Sequence, residues 1–219
     1  ISLIHSNFRH LSDELSKLGL DHIDSLLLDL GLSSPHVDDP EKGFSFSKTG
    51  ALDMRYDRTK GISAYDVINK ASSQELAQIF WEFGDERRSR KIADAICTAR
   101  KENEIKTTTD LADVIKQIPG FKSHIDPATR VFQALRIYVN DELSVLKEVL
   151  PQAVQALRKG GRVAVISYHS LEDRIVKNFF RDSTKDCLCS KENPVCICDH
   201  KPTLKILTKK PVTPSEEEL

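Results

Sequence analysis

Two short apolar runs, each ending in a polar corner, frame the chain. Residues 26–28 are continuously apolar, too short for an independent helix, and bounded by Gly31 and Pro35. That pattern predicts a buried strand with Asp29 at its C-terminal end. A second apolar run, 163–166, follows Gly160-Gly161, which are read as ending the preceding helix. It leads into Ser167-Tyr-His-Ser-Leu-Glu-Asp-Arg174, where Ser170 and Asp173 have the spacing of a capping box and predict a helix. Both corners are therefore expected at the C-terminal edge of a parallel sheet, where open α/β sheets bind ligands.

Between the corners the period becomes helical. Ser72-Ser-Gln-Glu75 resembles a capping box before Leu76, Ile79, Phe80 and Phe83. Ile92, Ile96 and Ala99 mark a second helix, and Leu111, Val114, Ile115 and Ile118 a third that Pro119-Gly120 stops. Asp126-Pro127 opens a fourth through Val131, Leu135, Val139 and Leu143, with Pro151 expected to break or kink the chain before Leu157. Outside this region, residues 1–4 and 203–207 read as strands, and Phe8, Leu11, Leu15 and Leu18 form an amphipathic stripe. The result is an α/β body interrupted by an all-helical insertion.

Candidate chemistry begins with Asp29. A carboxylate at a buried strand end needs donors, a cation or a ligand; capping of the following turn is the structural alternative. His169 and Ser170 have the same two readings, as site residues or as groups that only satisfy backbone. The polar stretch carrying Gly43-Phe-Ser-Phe46 and Leu52-Asp-Met-Arg55 is longer than a simple connector, which favours a functional loop.

Composition narrows the classes. The chain has 219 residues, 39% hydrophobic and 30% charged, enough to bury a core, and no apolar run approaches a membrane span. A net charge of -1 gives no general support for nucleic-acid binding, so any RNA contact must be local. Arg87, Arg88, Arg90 and Lys91, with Arg100 and Lys101 beyond them, are the first local candidate, and 201–210 is the second; a solvated helix face explains the first equally. Arg130 and Arg136 fit either an RNA phosphate or a structural ion pair. Cys97 reads as a small buried residue. Cys187, Cys189, Cys196 and Cys198 form two Cys-x-Cys pairs about a turn at Asn193-Pro194, with His200 following. Structural zinc, reduced thiols and disulfides all remain open for these four.

The blocks Leu28-Asp-Leu-Gly-Leu-Ser-Ser-Pro35, Pro40-Glu-Lys-Gly-Phe-Ser-Phe46, Leu52-Asp-Met-Arg55, Phe132-Gln-Ala-Leu-Arg136, Val139-Asn-Asp-Glu-Leu143 and His169-Ser-Leu-Glu-Asp-Arg174 together resemble the bacterial 16S rRNA cytosine-N4 methyltransferase family. They occur in the family's order and span nearly the whole chain. The resemblance implies an S-adenosylmethionine-dependent enzyme that methylates the exocyclic amine of a cytidine in the ribosomal decoding centre. It implies a Rossmann-like methyltransferase body over 1–59 and 141–219, incomplete at its N-terminus, with a helical substrate-recognition insert over 60–140. Family patterns place Phe8 beside the cofactor adenine and Asp29 and His36 in cofactor contact, although the family has Gln where His36 stands.

Ser33, Ser34, Arg55 and His169 are the expected substrate contacts, with Phe44, Phe46 or Tyr168 available to stack an unstacked base. Amino-methyltransferases often carry Asp/Asn-Pro-Pro-aromatic after the fourth strand. The run from Asp29 keeps only the carboxylate, so no catalytic residue is assigned. The glycine-rich cofactor loop of such folds is absent from the sequence, which is expected to hold part of the cofactor site and to be inactive alone. The implied partner is 16S rRNA of the small subunit in the cytoplasm, without a membrane; the oligomeric state is open, with a homodimer one candidate. A non-catalytic RNA-binding or assembly scaffold with structural zinc is the alternative, and an α/β hydrolase-like use of Asp29 lacks a second acid at Gly31.

Overall fold

The computed structural model describes residues 1–120, 126–190 and 195–217. The Asn193-Pro194 turn and the end of the acidic tail lie outside the described residues. Two compact units are present, one formed by Ile1–Leu30 with Leu143–Leu219, the other by Gly31–Glu142.

In the first unit, a 3-10 turn over Phe8–His10 leads into α1 (Leu11–Lys17) and then β1 (Ile23–Asp29). Residues 1–4 carry no strand, and Ile1 and Leu3 are exposed. Strand β1 pairs in parallel with β2 (Leu157–Ile166), bringing Asp29 opposite Ile166. The register shifts between Ile23 and Ser25, opposite the segment that contains Gly160-Gly161. Gly160 sits at φ +85°, a conformation L side chains rarely adopt. These glycines thus lie inside the strand and do not terminate a helix.

The core of this unit shows why β1 forms. Leu28 and Leu30 are buried with Leu146, Val149, Leu150 and Val176. Those partners come from the helices that follow the second unit and β2, respectively α8 (Glu142–Ala156) and α9 (Ser170–Ser183). Sequence reading predicts burial on both faces, but Leu27 is 61% and Ile166 43% exposed, so the strands alternate as half-covered strands do. Asp29 shares the outward alternation with Leu27. Pro151 lies inside α8 on its exposed side, where a carbonyl deprived of its donor can bond water, so the helix continues. Residues 203–207 form no strand; Thr203 and Leu204 instead donate to the Ser183 carbonyl at 2.9 and 3.2 Å.

The second unit is helical. After α2 (Ser34–Asp38) come α3 (Ala64–Lys70), α4 (Ser73–Gly84), α5 (Ser89–Glu102), α6 (Thr108–Lys116) and α7 (Ala128–Asn140). Capping boxes start three of them: Ser63 with Asp66, Ser72 with Glu75, and Thr107 with Asp110. Each reciprocally satisfies donors left open by a helix start. Helix α4 packs on α5 and α7, burying Leu76, Phe80, Ile92, Ile96, Val131 and Leu135 in one core. At Gly84 a Cβ would meet the Arg130 carbonyl oxygen at 2.6 Å, so glycine permits the close approach of α4 and α7. The fourth expected helix is two helices, because Asp141 adopts a left-handed φ of 53° between α7 and α8.

Candidate functional site

Parallel pairing of β1 and β2 joins the two polar corners of the first unit. Asp29 ends β1, and three residues past the end of β2 stands the N-cap of α9. Between them, the Tyr168 hydroxyl donates to Asp29 Oδ1 at 3.1 Å. This bond and the negative charge of Asp29 raise the Tyr168 pKa above its ordinary phenolic value. The Leu30 N–H bonds the Ile166 carbonyl at 3.1 Å, carrying the pairing one residue past Asp29.

The helix cap lies one residue earlier than the Ser170/Asp173 spacing predicts. His169 is the N-cap, and its Nδ1 accepts from the Glu172 N–H at 3.4 Å. Glu172 is buried and accepts from the Tyr168 N–H through Oε2 at 2.9 Å. Its Oε1 lies 3.3 Å from His169 Nε2, within ion-pair range but outside hydrogen-bond geometry, and distance alone therefore overstates that contact. Glu172 was not among the residues expected from sequence. Its signal was legible as the acid three residues after His169, the spacing of an N-cap with its N3 carboxylate.

The other expected residues lie apart from this corner in sequence. Phe8 belongs to the first unit, with its side chain partly exposed in the 3-10 turn. Ser33, Ser34 and His36 belong to the second, around the short α2. Ser33 Oγ lies 2.6 Å from His36 Nδ1, and the His36 ring meets Phe44 and Tyr56 edge-on, at 5.7 and 5.5 Å between centroids. Burial, followed by the nearby charge of Lys42, lowers the His36 pKa and favours the neutral ring. Phe44 and Tyr56 stack at 5.3 Å, whereas Phe46 packs on Phe132. The loop around them turns at Gly43, whose φ is +74° and where a Cβ would strike the Ala51 carbonyl.

Arg55 is bound within the second unit. Its Nε and Nη2 donate to the two carboxylate oxygens of Asp53 at 2.8 and 3.0 Å. Asp53 is held below the usual carboxylate range by Arg55, against the opposing effect of its own burial. The intervening Met54 is fully buried at a left-handed φ of 61°. Asn140 fixes that turn, donating to the Met54 carbonyl at 2.7 Å and accepting from the Tyr56 N–H at 2.8 Å. Arg136 pairs bidentately with Glu142 at 2.9 Å through each nitrogen, and Arg130 donates to the Asp85 carbonyl at 3.2 Å. Arg136 thus makes the structural ion pair, whereas Arg130 stays half exposed with Glu86 4.0 Å away.

The basic cluster divides. Arg88 donates to the Pro119 carbonyl at 2.6 Å, and Arg100 binds the Ile68 and Ala71 carbonyls at the end of α3. Arg87, Arg90 and Lys91 are exposed. In the first unit, the sulfurs of Cys187, Cys189, Cys196 and Cys198 lie within 4.8 Å of one another without disulfide bonds. Backbone donors at Leu188 and His200 lower Cys198 to about 6. The Cys189 N–H also favours the Cys187 thiolate, but the three neighbouring sulfurs prevail and push Cys187 up to about 12.

A sequence profile described as the MraW methylase family matches residues 1–219. The chain belongs to the MraW methylase family. This family member is 48% identical over 220 residues to a protein named ribosomal RNA small subunit methyltransferase H from Caldicellulosiruptor saccharolyticus, covering 100% of the chain and 72% of that relative. Proteins of the same name from Thermomicrobium roseum and Brevibacillus brevis are 50% and 46% identical over 216 and 222 residues. Those alignments cover 98% and 100% of the chain and 66% and 71% of the relatives. No helix among the described residues of the MraW family chain is long and apolar enough to cross a membrane.

Proposed function

We propose that this chain is part of an S-adenosylmethionine-dependent enzyme that methylates the N4 amine of a cytidine in the decoding centre of 16S rRNA. The single observation that carries the chemical reading is the Asp29–Tyr168 pair at the paired strand ends of a methylase-family chain. The relatives' printed names support small-subunit ribosomal RNA as the partner. The choice of N4 and of the decoding centre rests on the ordered sequence blocks. In this reading the Rossmann-like body comprises 1–59 and 141–219 and the recognition insert 60–140, with 31–59 packed within the second compact unit, and the reaction takes place in the cytoplasm.

Asp29 and Phe8 are proposed to meet the cofactor's groups. S-adenosylmethionine supplies an electrophilic methyl carried on a sulfonium. The Asp29 carboxylate, oriented by Tyr168, offers an acceptor to the cofactor's N–H or O–H groups, and the partly exposed Phe8 ring offers an apolar face. Neutral His36, tied to Ser33, can exchange hydrogen bonds but carries no positive charge against a cationic ligand. Ser33, Ser34 and His169 are proposed RNA contacts. Arg55 contributes through a guanidinium whose donors Asp53 directs, a carboxylate that also pairs with Arg58 at 3.5 Å, so the group keeps a net positive charge.

A cytosine amine is a weak nucleophile because its lone pair is delocalised into the ring, so positioning must supply much of the acceleration. The test is Asp29→Ala in the whole protein, read by nucleoside mass spectrometry of small-subunit rRNA and circular dichroism. Loss of N4-methylcytidine with the fold intact is expected. Wild-type methylation by a folded variant would overturn the assignment.

A further inference from the structure

We propose that Cys187, Cys189, Cys196 and Cys198 form a structural tetrahedral zinc site that fastens the segment following α9. This inference is independent of the methyl-transfer reading. Two sulfur–sulfur edges have the length the ion needs: Cys198 Sγ lies 3.7 Å from both Cys187 Sγ and Cys196 Sγ, and the other separations are within 4.8 Å. A tetrahedron with Zn–S bonds of about 2.3 Å has sulfur–sulfur edges of about 3.8 Å. A disulfide requires about 2.05 Å, so the observed separations fit a shared ion and not a covalent bridge.

Backbone donors supply a second, independent observation. The N–H of Leu188 points to Cys198 Sγ at 3.4 Å, that of Cys189 to Cys187 Sγ at 3.3 Å, and that of Ile197 to Cys189 Sγ at 3.4 Å. Such donors delocalise the charge of four thiolates around one divalent cation and orient the sulfurs. Binding one zinc ion to four thiols releases four protons and leaves a site of charge −2. No electron transfer is involved. Four soft ligands in tetrahedral array select zinc over magnesium or calcium, and a closed shell of protein ligands leaves no open position for catalysis.

The neighbouring chain gives the ion a mechanical role. Past the cluster, His200 Nε2 lies 3.1 Å from the Asp182 carbonyl, and Thr203 and Leu204 donate to Ser183 at the end of α9. Residues 184–204 therefore leave and return to the same helix end with no described helix or strand between. A shared ion would tie 187–189 to 196–198, where the described residues are exposed or half-buried.

The decisive measurement is elemental analysis of the whole protein purified under reducing conditions without chelator. About one tightly held zinc per chain is expected in the wild type and in Cys97→Ser, and little in the Cys196→Ser/Cys198→Ser variant. Cobalt substitution should give the visible d–d bands of tetrahedral thiolate coordination. A mercurial reagent should release zinc from the wild type and increase amide exchange across 184–204 while α9 stays protected. This readout keeps the proposal testable should the double variant fold poorly. Wild-type protein without stoichiometric zinc, with iron in its place, or a double variant retaining full zinc would overturn it.

Discussion

Tyr168 donates its hydroxyl hydrogen to Asp29 across the ends of two parallel strands, although 139 positions separate them in the chain. The bond makes each residue report on the other. Asp29→Asn should return the Tyr168 titration toward its ordinary value, because the negative acceptor that holds the phenol protonated is lost. Ultraviolet pH titration checks this, with Tyr168→Phe identifying the affected component. An Asp29→Asn curve identical to wild type would refute the coupling.

Asn140 has a structural role with a measurable cost. Asn140→Ala removes the partners of the Met54 carbonyl and Tyr56 N–H around a buried left-handed residue. A loss of about 2 kcal/mol is expected in urea denaturation. A variant within experimental error of wild type would show that the turn holds itself.

Acid should weaken the helical unit in a defined direction. Lys70 and then Ser63 hold Asp66 well below its ordinary value, and the Ser72 cap lowers Glu75. Burial of Asp110 opposes the bonds from Thr107 and Lys106, which nevertheless lower its pKa. Folded pKa values below the unfolded ones mean that the unfolded chain takes protons first. Their stabilisation is therefore whole above about pH 5 and is lost as pH falls past the ordinary carboxylate values toward the folded ones. Thermal unfolding from pH 7 to pH 3 should follow that course, and Ser63→Ala should cost about 1 kcal/mol at neutral pH.

Arg87, just before α5, and Arg90 and Lys91, on its exposed side, are proposed to meet rRNA phosphates. Charge reversal at Arg87, Arg90 and Lys91 should weaken binding to small-subunit particles and reduce the salt slope by up to about 0.9 per lost phosphate contact. Arg88 is left unchanged because its bond to Pro119 holds the fold. Filter binding over a salt series distinguishes this from a merely solvated face, for which the slope is unaltered.

Local chemistry made much of this chain legible from sequence alone. The apolar run before Asp29, the Ser72–Glu75 box and the helical spacing of Ile92 and Ile96 all act within a few residues, so their elements could be read without a fold. The ordered blocks likewise carried the family. Tertiary structure decided which polar groups became partners. It joined Tyr168 to Asp29, assigned Arg136 to Glu142 and Arg55 to Asp53, and split a continuous helical pattern at Asp141. It also left Leu27 exposed and gathered four sulfurs from two Cys-x-Cys pairs. Periodicity records which side of an element is apolar, but distant hydrogen bonds, strand coverage and ligand geometry depend on where folding brings separate segments together.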